Sequence, residues 1–158
     1  MRVSILTISD SVSAGKVQDG SGASVAARCR ALGWSVTGSA VVADDSSAIQ
    51  GYLRRVSDQM EADVILTTGG TGVGPRDITP EATLAVAERL IPGFSEQMRA
   101  DGRKTFPRAV LSRGVSAIRG KTIIVNLPGS PTGAVESLDT IADLLPHTVD
   151  VLHGAHHG

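Results

Sequence analysis

A carboxylate at the end of a glycine-rich loop is the feature of this chain that carries the most chemistry. Residues 67–80 read TTGGTGVGPRDITP. They follow an apolar run, Val64-Ile65-Leu66, and precede a helical pattern that begins near Glu81. A strand therefore leads into the loop and the loop into a helix. Gly69, Gly70, Gly72 and Gly74 let backbone N–H groups converge without Cβ interference, which suits a phosphate or another oxyanion. Asp77, beside Arg76, is a different matter. Bare anion capture has no use for an acid there, whereas metal-assisted phosphoryl or nucleotidyl transfer does. The P-loop pattern G-x-x-x-x-G-K-[ST] is excluded because the loop has no lysine. The dinucleotide fingerprint G-x-G-x-x-G is excluded because Pro75 interrupts the glycine run. The plainer reading is a turn that only reverses the chain. Glycine and threonine crowded into one strand-to-helix loop favour function over that reading.

The elements that must position this loop follow from hydrophobic pattern. Residues 3–8, 36–42, 64–68 and 122–126 are short, β-branched or wholly apolar runs, and each reads as a strand. Between them, Val25, Cys29 and Leu32 recur at helical spacing, as do Ile49, Leu53, Val56 and Met60, so helices are expected from Ser21 and over 46–60. Thr79-Pro80-Glu81 has the form of a helix start: a capping hydroxyl, proline in the first turn, then an acid. Pro92-Gly93 breaks that helix, and another is expected over 94–100. Residues 101–120 are basic and irregular. A final helix is expected from Pro131 or Thr132 with Val135, Leu138, Ala142, Leu145, Val149 and Leu152 on one face, and Pro146 as a kink. The tail, HGAHHG, reads as frayed.

Strands alternating with helices imply right-handed βαβ units and a mainly parallel sheet covered on both faces. In such folds the ligand crevice lies beyond the carboxyl ends of the strands. Those ends carry Ser9 and Asp10, Asp44 and Asp45, the 69–77 loop, and the turn at 126–131. Hydroxyls, amides and carboxylates gather at one edge, a constellation for a phosphorylated ligand with a divalent cation such as Mg²⁺. Each residue also has a plainer role. Asp44 or Asp45 can cap a helix, Asp77 can neutralise Arg76, and Asp10 can end a strand through a local turn. Pro128 and Pro131 can stiffen a turn, or shape a flat, adenine-sized slot.

Bulk properties bound the rest. At 158 residues, one domain with a substantial core is expected. Aromatic residues make up 3%, so Val, Leu, Ile and Ala must fill that core. With 15 basic and 16 acidic side chains no strongly basic face is forced, and nucleic acid is not an expected partner. Cys29 is the single cysteine and reads as a small buried hydrophobe. No apolar run is long enough to span a bilayer, and Met1-Arg2 leads directly into a strand, so no membrane is expected and the cytoplasm is the expected location.

The combination TTGGTGVGPRDITPEAT, Thr7-Ile8-Ser9-Asp10 and NLPGSP at 126–131 resembles the molybdenum-cofactor biosynthesis family that binds molybdopterin. The likeness continues through PGFSEQMR at 92–99 and LSRGVSAIRG at 111–120. It is strongest to the molybdopterin adenylyltransferases, although the longer insertion that some relatives carry after the NLPG-type turn is missing. The resemblance implies a three-layer α/β/α sandwich with a mostly parallel central sheet, a single domain over residues 1–158, and a homotrimer. It implies transfer of AMP from ATP to the molybdopterin phosphate with release of pyrophosphate, and a molybdate-inserting protein downstream. Asp44 and Asp77 are then the catalytic, Mg²⁺-holding pair. Ser9, Asp10, Thr68, Gly69, Gly70, Thr71 and Gly72 join Asn126, Leu127, Pro128, Gly129 and Ser130 in holding substrate or nucleotide. The basic 101–120 segment, including Arg113, meets the pterin or its phosphate. Two alternatives stay open: a paralogue that binds molybdopterin without adenylylating it, and a trimeric scaffold protein.

Overall fold

A computed structural model describes residues 1–155. Among the described residues, seven helices flank a six-stranded sheet. The strands are β1 (Arg2–Ile8), β2 (Ser35–Val42), β3 (Val64–Thr68), β4 (Arg89–Leu90), β5 (Ser116–Arg119) and β6 (Thr122–Leu127). They lie in the order β2-β1-β3-β6-β5-β4. The first four run parallel, with Leu6 beside Thr67 and Thr67 beside Asn126. β5 returns antiparallel along β6, and β4 pairs antiparallel with β5. The sheet is mixed and mostly parallel, as expected.

Period-2 alternation splits the apolar strands between two cores. Val3 and Ile5 of β1, Val64 and Leu66 of β3, and Ile123 and Val125 of β6 point to one face. There they meet Val25 and Cys29 of α2 (Gly20–Ala31), Phe94 and Met98 of α5 (Pro92–Gly102), Leu138 and Ile141 of α6 (Pro131–Ile141), and Leu145 and Val149 of α7 (Leu145–Leu152). Leu6, Ile8, Ile65 and Ile124 point to the other face, against Ile49, Leu53 and Val56 of α3 (Ser46–Asp58) and Ala82 and Val86 of α4 (Thr79–Val86). Three layers result. Each fully buried Leu or Ile contributes about 1.5–3 kcal/mol of transfer free energy, which sets the strand register, since a one-residue slip exchanges the two faces. Cys29 is fully buried under α2, and loss of hydration pushes its thiol up to about 11.

The structure corrects several local expectations. The expected single last helix is two: α6 ends at Ile141, and Pro146 sits in the first turn of α7, where its missing N–H costs nothing. A one-turn helix, α1 (Asp10–Ser13), follows β1 directly, capped by Ser9 Oγ accepting from Val12 N. Thr79 does not cap α4. Its hydroxyl donates to the Gly69 carbonyl at 2.9 Å, and Ile78 holds the cap position with no side-chain bond. The irregular 101–120 segment contains a 3₁₀ turn at Pro107–Leu111 and all of β5. The tail is partly anchored: His153 lies 2.9 Å from the Lys121 carbonyl through its ring Nε2. His156 and His157, also assigned to a frayed end, lie outside the described residues. No helix among the described residues is long and apolar enough to cross a membrane.

α3 stops at Asp58 rather than 60 because Met60 adopts φ +53°, the only non-glycine among the described residues with positive φ. Arg2 Nη1 donates to the Met60 carbonyl at 2.8 Å, pinning that turn to the start of β1. A left-handed β-carbon costs about 1–2 kcal/mol, and glycine returns up to about 1 kcal/mol of that as unfolded-chain entropy. Met60→Gly is expected to raise stability by about 0.5–1 kcal/mol in urea unfolding, without moving the Arg2 contact.

Candidate functional site

The carboxyl ends of the parallel strands meet at one rim. β1 ends at Ile8, and Ser9 N donates to Val42 O of β2 at 2.9 Å, drawing Asp10 and Asp44 together. The two aspartates then lock reciprocally. Asp10 N donates to Asp44 Oδ2 and Asp44 N donates to Asp10 Oδ1, each at 3.0 Å. The neighbouring acids at 44 and 45 divide the work. Asp45 caps α3 by accepting from Ala48 N at 2.8 Å, and Asp44 faces the cleft.

The glycine loop is shaped by close approach. Gly69 has φ +94°, and a Cβ there would lie 2.2 Å from the Ile8 carbonyl. Gly70 has φ +69°, and its Cβ would strike Thr79 Oγ1 at 2.2 Å and meet Asp44 Oδ1 at 3.1 Å. Side chains at Gly72 and Gly74 would come 2.8 and 2.9 Å from Asp77 Oδ2. The Asp77 carboxylate therefore lies over the loop's own glycines, accepting from Gly74 N at 2.9 Å. It does not pair with Arg76. That guanidinium reaches Asp10, with Nε to Oδ2 at 2.7 Å and Nη2 to Oδ1 at 3.0 Å.

Asp44, Asp77, Ser9, Asp10, Thr68, Gly69, Gly70 and Gly129 all line one cleft of about 550 Å³. Sequence reasoning had gathered these residues; it missed the opposite wall, which is the start of α2. Gln18, Gly20 and Ser21 line the same cleft. Ser21 Oγ sits 2.9 Å from Thr68 Oγ1, and Asp19 takes Gly22 N and Thr7 Oγ1, both at 2.8 Å. The readable signal was Asp19, three residues before Gly22, which is the spacing of a helix cap.

A second cleft, also of about 550 Å³, opens on the far side of the 126–131 turn. Pro128, Ser130, Thr132 and Gly133 line it from one side, and Met98, Arg99, Phe106 and Arg108 from α5 and the 3₁₀ turn. The turn is thus a shared wall. Its residues differ in how they serve. Leu127 is fully buried and contributes its carbonyl, which takes Gly69 N at 3.2 Å, so that amide is not left for an anion. Asn126 is 2% exposed, and its amide is spent internally. Oδ1 accepts from Val115 N at 3.1 Å, and Nδ2 donates to Thr67 and Thr83 hydroxyls at 3.1 and 3.0 Å. Ser130 Oγ caps α6 through Gly133 N. Thr71, 6% exposed, and Gly72 are not among the residues lining either cleft. Arg113 meets neither cleft; it is bonded to the loop and to Glu81.

Electrostatics separate Asp10 from Asp44. The Arg76 guanidinium beside Asp10, helped by Asp44 N–H, holds the Asp10 carboxyl below the usual carboxylate range. Burial pushes Asp44 up, and the neighbouring carboxylates of Asp10 and Asp77 push it further, against the opposing bond from Asp10 N–H. Two carboxylates crowded in one cleft, one of them uncomfortable as an anion, fit a divalent cation. Among the described residues no three His, Cys, Asp or Glu form a ready cage.

Residues 4–147 match the family model described as a probable molybdopterin binding domain, and the chain belongs to that family. It is 43% identical over 114 residues to a protein from Helicobacter pylori strain J99 named molybdopterin adenylyltransferase, covering 72% of this chain and 65% of that one. It therefore spans somewhat under two thirds of that relative's length. It is 38% identical over 159 residues to the Escherichia coli K12 protein of the same name, covering 98% and 79%. The crystal structure of the molybdopterin biosynthesis enzyme MoaB from Thermus thermophilus superposes with a TM-score of 0.92 at 43% identity, covering 98% and 97%.

The raised Asp44 has a stability consequence. A carboxyl raised above its unfolded value favours the fold below the unfolded value, and that contribution is lost as pH climbs through the folded one. At neutral pH the metal-free fold bears the cost. Asp44→Asn keeps an oxygen for Asp10 N–H and removes the charge. The metal-free variant is expected to melt above the parent at pH 7, with the gap closing toward pH 4, as read by calorimetry.

Proposed function

We propose that this chain, as one domain over residues 1–158, adenylylates molybdopterin: the terminal phosphate of molybdopterin attacks the α-phosphorus of ATP, and pyrophosphate leaves. The observation that carries this reading is the meeting of Asp44, Asp77, the glycine loop and the 129–131 turn around one cleft. The names of its relatives agree with it.

In this reading the ATP phosphates lie in the acidic cleft, between Gly70, the Ser9–Asp10 corner and the N-terminus of α2. Amides at a helix start and in a glycine loop favour an anion there. Asp44 and Asp77 would hold Mg²⁺, which supplies neutralisation of the triphosphate charge when bound. Adenosine borders the wall formed by Pro128, Gly129 and Ser130. The second cleft, largely apolar but edged by Arg99 and Arg108, suits a flat pterin whose phosphate reaches over the turn. One substrate then sits on each side of the wall, with the reacting groups meeting at its crest. No covalent enzyme intermediate is needed. Positioning and charge neutralisation carry most of the acceleration in phosphoryl chemistry. A homotrimer in the cytoplasm, passing its product to a molybdate-inserting protein, completes the proposal.

The test is pyrophosphate release from molybdopterin, ATP and Mg²⁺. Asp77→Asn is expected to lower the rate about 100-fold while molybdopterin still binds. A parent protein that binds molybdopterin but releases no pyrophosphate would be a non-catalytic paralogue. One that binds neither substrate, yet forms a firm trimer, would be a scaffold.

A further inference from the structure

We propose that Arg76 and Arg113 are a matched pair of positioning residues, each clamping the main chain of one cleft aspartate so that its carboxylate stays available to a cation. This deepens the function proposed above and rests on it.

The two arginines repeat one arrangement. Arg76 lays its fork on the Asp10 carboxylate, at 2.7 and 3.0 Å, and Nη2 donates to the Asp44 carbonyl at 3.2 Å. Arg113 lays its fork on the Glu81 carboxylate, at 2.8 and 3.2 Å, and Nη2 donates to the Asp77 carbonyl at 2.7 Å. Arg113 Nε also holds the Gly72 carbonyl at 2.7 Å, and Arg113 N donates to Thr71 O at 2.8 Å. The 71–77 loop is therefore gripped at three carbonyls by one residue from a distant segment. In each clamp the guanidinium charge is balanced by a different acid, Asp10 or Glu81. Neither guanidinium makes a hydrogen bond or ion pair with the carboxylate of Asp44 or Asp77.

That division has a physical reason. A guanidinium seated on Asp44 or Asp77 would neutralise the group a cation needs. A loop with this much glycine, left ungripped, has many backbone states and would scatter the Asp77 carboxylate. Both ion pairs are solvent-exposed, with side-chain accessibility of 38–67% across Arg76, Asp10 and Arg113, so each adds little stability of its own. Their value is directional. Lysine carries the charge but lacks the planar fork that reaches a carboxylate and a carbonyl together.

The experiment compares Arg76→Met, Arg113→Met, Arg113→Lys and Glu81→Gln with the parent in three measurements. Amide hydrogen exchange is read at Asp10 and Gly74, whose N–H groups bond to Asp44 Oδ2 and Asp77 Oδ2. Binding of Mn²⁺ alone is titrated by electron paramagnetic resonance. Steady-state pyrophosphate release is measured at saturating metal. Arg76→Met is expected to speed exchange at Asp10, and Arg113→Met at Gly74, each sparing the other site. Each should weaken Mn²⁺ about 10-fold, as loss of an outer support does. The turnover number should fall with the KM for ATP within about twofold of the parent. Arg113→Lys should recover little. Glu81→Gln, which keeps the arginine, should shift the same readings in the same direction by less, and it serves if Arg113→Met fails to fold. Unchanged exchange and Mn²⁺ affinity overturn the proposal. So does a rise in KM alone, which would seat the arginines on substrate phosphates, and so does a parent that binds no Mn²⁺. A parent that binds Mn²⁺ and shows these shifts but releases no pyrophosphate leaves the clamps standing and removes the transfer reaction.

Discussion

Asp44 and Asp77 bring two carboxylates to one partly buried cleft, and the rim of this molecule is arranged around keeping them there. Burial works first against the Asp44 anion, and the nearby Asp10 and Asp77 carboxylates add to that cost. The fold meets that cost with main-chain bonds instead of direct counter-ions on Asp44 and Asp77. The reciprocal amide bonds between Asp10 and Asp44 need β1 and β2 to end together, which their parallel register secures. The Asp77 carboxylate needs a loop without β-carbons beneath it, which Gly72 and Gly74 provide. Sheet order, glycine placement and the course of the polypeptide at the rim all answer to this one electrostatic demand.

The fold was legible where burial was complete. Val64–Thr68 and Thr122–Leu127 are fully buried, so their apolar runs mark them as central strands. β4 and β5 are not legible in the sequence because antiparallel pairing, not hydrophobic pattern, defines them. β4 has two residues, both exposed, and β5 mixes Ser116 and Arg119 with Ala117 and Ile118. The break between α6 and α7 is hidden in the sequence because apolar spacing runs across it; Pro146 marks the place, but a proline is compatible with a kink as well as with a helix start.

The site divides along similar lines. Residues set by strand ends, such as Asp10, Asp44 and Gly69, follow from the topology rule for parallel sheets. Residues whose role depends on which distant partner they meet do not. Asn126 looks like a ligand-binding amide and turns out to be a buried junction for β3, α4 and the segment before β5. Arg113 looks like a phosphate ligand, and its guanidinium is bonded to the Gly72 and Asp77 carbonyls and to Glu81. Sequence carries the donor inventory of such side chains but not the acceptor they find.

Cys29 gives this architecture a built-in clock. Its sulfur is sealed between α2 and the sheet, and its thiol ionises only near pH 11. An alkylating reagent at neutral pH can react only after α2 has lifted away, so the rate of modification counts openings of that layer. The same helix carries Gly20 and Ser21 into the acidic cleft. Any molecule that grips its first turn must slow the clock, and sulfur chemistry on one side of the sheet thereby reports occupancy at the rim.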